Sequence, residues 1–321
     1  VFVVDRRGDL KLKLNNSYTL GGTSEPRWEH YQAHIPLCLH PDPKRVFFLG
    51  MGSGMTAGAA LAHDVKRVRV AEIVPEAVRA TREHFGPWLG GLFEDKRVDV
   101  VVEDGRTVLL GSRETYDVVV GDLFLPWRRG TALLYTVEQF EAVKARLTPT
   151  GLFCQWLPLY QLGAEEFRGI ARSFLEVFPG ATLWRGDFFD RRPIVALIGH
   201  AAATPWDGAA TAEAWARLEE KGAVEEGPST AALPFMLYAG RLAYGRALLA
   251  ETPLLRDDKP WIEWASPIAQ RARAAGREKA FRGRALAEFQ RRLLRVEEDP
   301  FLSSLGPSRR RYVEGGMHLY D

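Results

Sequence analysis

Val46-Phe47-Phe48-Leu49-Gly50-Met51-Gly52-Ser53-Gly54 is the stretch on which the fold turns. Four apolar residues, two of them aromatic, make a short buried strand. The three glycines that follow let the backbone turn sharply and approach a ligand closely. Thr56–Ala62, built of small residues, then reads as a helix. In an open α/β sheet a strand–glycine turn–helix unit puts the turn at the carboxyl end of a strand, where ligands bind. A pyrophosphate fingerprint would need a glycine at position 55. Met55 stands there, so the turn suits a ligand without a pyrophosphate.

The pattern repeats outward from this unit. Val68–Ile73, Val98–Val102, Asp117–Val120, Gly151–Trp156 and Ile194–Ile198 read as strands of four to six residues. Helical patterns at Pro75–Phe85, Asp104–Leu110, Glu138–Leu147 and Glu165–Phe178 separate them. Such alternation predicts a mostly parallel sheet covered on both faces. Upstream, Val1–Val4 and Leu10–Leu14 read as a hairpin about Arg6–Asp9, ended by Asn15-Asn16-Ser17. A short helix is predicted over 27–39. Downstream of about residue 201 the chain is rich in Ala, Glu and Arg. Helices are predicted at Glu213–Lys221, Ala239–Ala250 and Ile268–Val296, the last with a solvated arginine face. The expected division is an N-terminal β element over 1–33, a Rossmann-like catalytic domain over 34–200 and a mainly helical extension over 201–321.

Composition narrows the class of function. The 321 residues carry 43 Lys+Arg against 41 Asp+Glu, a net charge of +2. No global basic field exists of the kind that drives binding to nucleic acid. Cys38 and Cys154 sit in apolar runs without ligand spacing, which argues against a disulfide scaffold and fits a reducing compartment. His30, His34 and His40 lack acidic partners at metal-ligand spacing, so they read as structural and no metal is expected. No apolar run reaches the ~18 residues of a membrane helix. No basic leader precedes Val1, and the start without Met suggests a piece of something longer.

Two acids follow the next strands in register with the glycine turn. Glu72 stands 20 residues beyond Gly52, where a carboxylate can accept both hydroxyls of a ribose. Asp104 follows the third strand, placed to accept from an adenine amino group, with Gly105 allowing close approach. Each could instead be a helix N-cap or a solvated loop acid. Taken together with the turn, they point to an adenosine-containing ligand such as S-adenosylmethionine.

These segments resemble the spermidine synthase (aminopropyltransferase) family. The likeness lies in His34-Ile35-Pro36-Leu37, in His40–Arg45 leading into the glycine turn, and in Ala71-Glu72-Ile73-Val74-Pro75-Glu76. It continues in Glu103-Asp104-Gly105-Arg106, Tyr116–Asp122 and Gly151-Leu152-Phe153-Cys154-Gln155, over roughly residues 10–200. Asp122–Trp127, Leu134-Tyr135-Thr136 and Cys154–Tyr160 are similar to a divergent branch often fused to a membrane transporter-like segment. So is Leu255–Trp264. The resemblance implies an N-terminal β element on a class I methyltransferase-like Rossmann fold. It implies a cytoplasmic site, or the cytosolic portion of a membrane-anchored protein, with a membrane partner outside this chain and a homodimer left open. It implies Glu72 on ribose, Ile73 against the adenine face, Asp104 at its edge and Asp122 as catalytic acid/base. Gly50, Gly52, Ser53, Gly54 and Gly105 complete the cofactor wall, and Tyr135 and Gln155 line the cleft by resemblance. Trp127, Trp156 and Tyr160 read as core or wall aromatics.

Three positions depart from the family pattern. Ser53 stands where the family has an Asp that holds the ammonium of decarboxylated S-adenosylmethionine. Leu125 replaces a second, amine-binding Asp, and Thr19 takes the place of a Gln. A neutral Ser53 would not repel the carboxylate of intact S-adenosylmethionine. Losing an acid for a buried amine costs several kcal/mol. The expectation is therefore an enzyme that breaks the aminoalkyl carbon–sulfur bond of S-adenosylmethionine, intact or decarboxylated, and releases methylthioadenosine. The nucleophile is a non-polyamine acceptor, water or the cofactor itself, the last making a lyase or cyclase. Arg128 and Arg129 read as a solvated pair or as a clamp for a carboxylate. Three alternatives stand beside this. One is a true polyamine aminopropyltransferase in which acids such as Glu25 and Glu29 take over. The others are a small-molecule methyltransferase and a domain that senses the cofactor without turnover. Asp257, Asp258 and Glu263 read as solvated acids of a docking strand or as groups closing over the site.

Overall fold

The computed structural model describes residues 1–15, 18–189, 191–202, 207–224, 232–303 and 305–318. Three strands, β1 (Phe2–Arg6), β2 (Asp9–Leu14) and β3 (Tyr18–Gly22), form a separate antiparallel sheet in the order β1-β2-β3. The predicted hairpin is thus a three-stranded meander. Asn16 and Ser17, two of the three residues expected to break the strand, lie outside the described residues. Helix α1 (Pro26–Leu39) follows, with Pro near its start. A second proline, Pro36, lies inside it and has no amide to give to the Gln32 carbonyl four residues back. The Trp156 indole Nε1 donates to that carbonyl at 3.0 Å, which satisfies the freed acceptor.

The main sheet then builds in chain order. It runs β4 (Arg45–Leu49), α2 (Met55–Ala59), β5 (Arg67–Glu72), α3 (Pro75–His84), β6 (Val98–Val102), α4 (Gly105–Gly111) and β7 (Tyr116–Gly121). It continues with α5 (Val137–Lys144), β8 (Leu147–Pro158), α6 (Ala164–Val177), β9 (Thr182–Arg185) and β10 (Ile194–His200). β6, β5, β4, β7 and β8 are parallel neighbours. β10 runs antiparallel between β8 and β9. This is the expected mostly parallel, Rossmann-like α/β sheet. The chain steps outward from β4 to β5 and β6, then returns to place β7 on the other side of β4. That reversal opens a crevice at the carboxyl ends of β4 and β7, the usual ligand position in such sheets.

Burial on both faces explains why these strands are nearly unbroken apolar runs. Val46 and Phe48 belong to one core with Val68, Val118 and Trp156. Phe47 and Leu49 belong to the other with Val119, Phe140 and Phe153. The alternation follows the two-residue period of a strand.

The C-terminal region continues with α7 (Gly208–Glu220), α8 (Leu233–Leu237), β11 (Tyr238–Arg241), α9 (Arg246–Leu249), α10 (Ile262–Ala274), α11 (Arg284–Leu293), α12 (Pro300–Ser303) and α13 (Pro307–His318). Two sequence expectations fail here. The helix predicted over Ala239–Ala250 begins as β11, an eighth strand antiparallel to β9 at the sheet edge. Gly240 takes φ +117, outside helical geometry, and edge pairing overrides the helix-forming residues around it. The single helix over Ile268–Val296 is two helices, because Gly276 (φ +70) and Gly283 (φ +58) stop and restart the chain. Residues 253–261 form no strand. Asp257 instead pairs with Arg106, whose Nη1 lies 3.1 Å from Oδ1, and accepts from Thr136 Oγ1 at 2.7 Å. Glu263 accepts from the Gly130 amide at 2.6 Å. Two of the three acids read as solvated therefore fasten this segment to the loops above β6 and β7. Among the described residues no helix is long and apolar enough to cross a membrane.

Candidate active site

The glycine turn leaves β4 with Gly50 at φ +93 and Gly52 at φ +54. A Cβ on Gly50 would sit 3.1 Å from the Asp122 Cβ, and one on Gly52 3.0 Å from the Leu20 carbonyl oxygen. Both conformation and close approach therefore demand glycine. Glu72, at the end of β5, pins the turn from beneath. Its Oε2 accepts from the amides of Met51 (3.0 Å) and Gly52 (3.3 Å), and its Oε1 from Val74 (2.9 Å). In this structure the predicted ribose acid also shapes the loop.

Two cavities open at the crevice. One, of about 430 Å³, is lined by Gly50, Gly52, Glu72, Ile73, Asp104 and Gly105, with Arg106, Arg128 and Arg129 at its rim. Ile73 is 63% exposed, so its side chain offers an apolar surface to a flat ring. Asp104 caps α4, its Oδ1 accepting from the Thr107 amide at 2.7 Å and the Thr107 hydroxyl at 2.9 Å. The N-cap alternative is thus realised, and the residue still lines the cavity. A Cβ on Gly105 would lie 2.9 Å from the Leu49 Cγ.

The other cavity, of about 470 Å³, is lined by Ser53, Glu29, Tyr160, Asp187, Trp28 and the β3 backbone, among others. Tyr18, Leu20, Asp122 and Leu123 line both cavities, so the two meet there. Asp122 follows β7. Its amide donates to the Leu49 carbonyl at 3.0 Å and its Oδ1 accepts from the Leu123 amide at 2.7 Å. Burial, reinforced by the nearby Glu72 charge, pushes its carboxyl up to about 6 despite that amide bond.

The sequence-predicted residues fall into three sets. Gly50, Gly52, Glu72, Ile73, Asp104, Gly105 and Asp122 gather round the first cavity, and Ser53 reaches only the second. Tyr135 and Gln155, expected in the cleft, line neither. Tyr135 is fully buried and donates from its hydroxyl to the Phe124 carbonyl at 3.2 Å. Gln155 Nε2 donates to the Asp122 carbonyl at 3.1 Å and to that of Trp156 at 3.0 Å. Both brace the Asp122 loop from behind, because their strand and turn put them on the core side. Gly54 also lies off the cavities, where a Cβ would meet Thr81 Cγ2 at 3.0 Å. His34 Nδ1 and His63 Nε2 lie 3.0 Å apart in the core, and His30 approaches the Trp88 carbonyl. Among the described residues no group of three or more His, Cys, Asp or Glu is placed to hold a metal ion.

Two wall residues went unread or underweighted. Tyr18, on the unpredicted β3, is half-buried at the junction, and withdrawal from water raises its phenol well above the ordinary value. Its alternation with Leu20 after the Asn15 turn was the available signal. Glu29, which the sequence offers only as an alternative acid, accepts from the Ser53 hydroxyl and from the Gly22 amide at 3.2 Å. Burial pushes its carboxyl up to about 7. The wall at Ser53 therefore carries an ionisable acid, which Ser53 alone does not supply.

Residues 25–183 match the family described as spermine/spermidine synthase domain. Over 157 residues the chain is 32% identical to a polyamine aminopropyltransferase of Aeropyrum pernix, covering 48% of this chain and 50% of that one. Over 173 residues it is 30% identical to polyamine aminopropyltransferase 2 of Pseudomonas aeruginosa, covering 53% and 50%. The chain spans about half the length of the curated relatives it matches. A spermidine synthase crystal structure from Thermotoga maritima shares the fold, with TM-score 0.56 at 22% identity over 65% of this chain and 76% of that one. So does a probable spermidine synthase from Corynebacterium glutamicum, with TM-score 0.56 at 17% identity over 79% and 92%. The glycine turn, Glu72, Asp104 and Asp122 lie inside the matched segment, and through residues 25–183 the chain belongs to the spermine/spermidine synthase domain family.

Proposed function

We propose that this chain transfers the aminopropyl group of decarboxylated S-adenosylmethionine to an amine and releases methylthioadenosine. The glycine turn, Glu72, Ile73, Asp104 and Gly105 would hold the adenosine, and the amine would enter from the second cavity. The observation that carries this is Asp122, a half-buried carboxylate on the wall of both cavities. In the reaction the amine nitrogen attacks the chain carbon bonded to sulfur. The carbon–sulfur pair returns to sulfur as a neutral thioether, and the amine proton passes to Asp122. A free amine has a pKa near that of lysine, about 10. Desolvation in the cavity lowers it, and a carboxylate near 6 accepts a proton better than one at its ordinary value.

A second reading keeps intact S-adenosylmethionine as the substrate of a lyase or cyclase. Arg128 and Arg129 on the adenosine-side cavity favour it, since guanidinium groups can hold a carboxylate, and Leu125 leaves the second acid position apolar. The family membership and Glu29 beside Ser53 support aminopropyl transfer instead. Product analysis decides. Methylthioadenosine formed from the decarboxylated donor only with an added amine supports the proposal. Methylthioadenosine from the intact donor without an amine supports the lyase or cyclase. S-adenosylhomocysteine marks methyl transfer, and no product from either donor marks a sensing domain.

A further inference from the structure

Glu29 is a half-buried acid from α1 that meets the glycine turn on the wall of the second cavity. Two donors hold its carboxylate: the Ser53 hydroxyl on one oxygen and the Gly22 amide on the other. Among the described residues no lysine or arginine pairs with it. The strand β3 closes tightly over this contact. A Cβ on Gly21 would lie 2.5 Å from the Ser53 Cβ and 3.2 Å from Glu29 Oε1. A carboxylate partly withdrawn from water and without an ion-pair partner is stabilised when a cation arrives to pair with it. Its position says where that cation comes from. Gly52 lines the adenosine-side cavity and the next residue, Ser53, lines the other. A sulfonium at the Asp122 junction would therefore send its three-carbon chain past Gly52 toward Ser53 and Glu29.

We infer that Glu29 is the specificity-determining residue for the donor: its carboxylate, aimed by Ser53, binds a chain ending in an ammonium alone and rejects one that also bears a carboxylate. This rests on the aminopropyl-transfer reading. It moves the selecting charge from the glycine turn, where this chain has only Ser53, to helix α1.

The test is calorimetric binding of decarboxylated and of intact S-adenosylmethionine to the full chain, as wild type, Glu29→Gln and Glu29→Asp. Melting curves establish that each variant is folded. The wild type should favour the decarboxylated form. Glu29→Gln keeps the side-chain shape and loses the charge, so the preference should narrow by about 10- to 100-fold, the range of one charge-assisted hydrogen bond. Glu29→Asp keeps the charge and should retain most of it. A Glu29→Gln ratio equal to that of the wild type overturns the inference. So does a Glu29→Asp ratio that falls to the Gln level, because shape and not charge would then be selecting. Binding is read without turnover, so the two claims fail separately. Wild-type protein that binds selectively but forms no methylthioadenosine with any amine defeats only the transfer reading. Turnover with an unchanged ratio in Glu29→Gln defeats only the role of Glu29.

Discussion

The Asp122 amide donates to the Leu49 carbonyl at 3.0 Å, tying the residue after β7 to the last residue of β4. One hydrogen bond thus fixes the proposed proton acceptor against the start of the glycine turn, at the place where the strand order reverses. Gln155 holds the same residue from the other side through its carbonyl. An acid held at two backbone points has little freedom to leave the junction, which suits a proton acceptor.

Asp122→Asn should therefore lower kcat by about 10²- to 10⁴-fold, the usual span for losing a general base. The adenosyl donor should still bind, since the glycine turn and Glu72 are untouched. Methylthioadenosine release and calorimetry measure the two effects separately. With the wild type, kcat/KM should rise as pH passes through about 6, because the deprotonated carboxylate is the working form. A variant that keeps its turnover would remove Asp122 from catalysis.

Glu29 gives a pH dependence of stability with a definite sign. Its carboxyl moves from an ordinary 4.5 to about 7 on folding, chiefly by burial. The folded state therefore binds the proton more tightly than the unfolded chain. This contribution is fully present below pH 4.5 and is lost as pH rises through about 7. Glu29→Gln cannot lose that proton. The difference in Tm between Glu29→Gln and wild type should thus grow in favour of the variant from pH 5 to pH 8, in the absence of any donor. Thermal melts across that range check it, and a difference that does not change with pH would show that Glu29 does not titrate in this window.

Much of this arrangement was readable in the chain, and the losses have physical causes. The parallel strands announced themselves because burial on both faces leaves them almost purely apolar. The glycine turn, Glu72 and Asp104 could be placed because each follows its strand directly. Tyr135 and Gln155 were misplaced because their order along the chain does not say which side of the sheet end they face. Glu29 was underweighted for a different reason. It meets Ser53 only through the packing of α1 and β3 over the turn, a contact 24 residues long in sequence. β9 and β11 were missed because four-residue strands carry too little periodicity, and Gly240 hides the second among helix-forming neighbours.

The C-terminal segment should matter to donor affinity through Asp257. Its carboxylate holds Arg106, which lines the adenosine-side cavity and also donates to the Leu133 carbonyl at 2.8 Å. Thr136 adds a third contact to the same acid. Asp257→Ala should cost about 1 kcal/mol of stability, since the pair is partly exposed. Its larger effect should be a several-fold weaker binding of the adenosyl donor with kcat little changed, because the wall loosens while Asp122 stays in place. Denaturant melts and steady-state kinetics with the donor varied separate these effects. A fall confined to kcat would contradict it.

Trp156 and Pro36 make the last prediction. Proline at position 36 leaves the Gln32 carbonyl without its helical partner, and the Trp156 indole supplies one at 3.0 Å in a fully buried setting. Trp156→Phe keeps an aromatic ring but orphans the carbonyl, which should cost about 1–3 kcal/mol. A further cost comes from the volume removed. Pro36→Ala restores an amide able to reach the Gln32 carbonyl. The double variant should therefore lose less stability than the sum of the two single changes. Urea melts of the four proteins give the coupling directly. Strict additivity would mean that the indole serves packing alone and that the carbonyl finds its partner elsewhere.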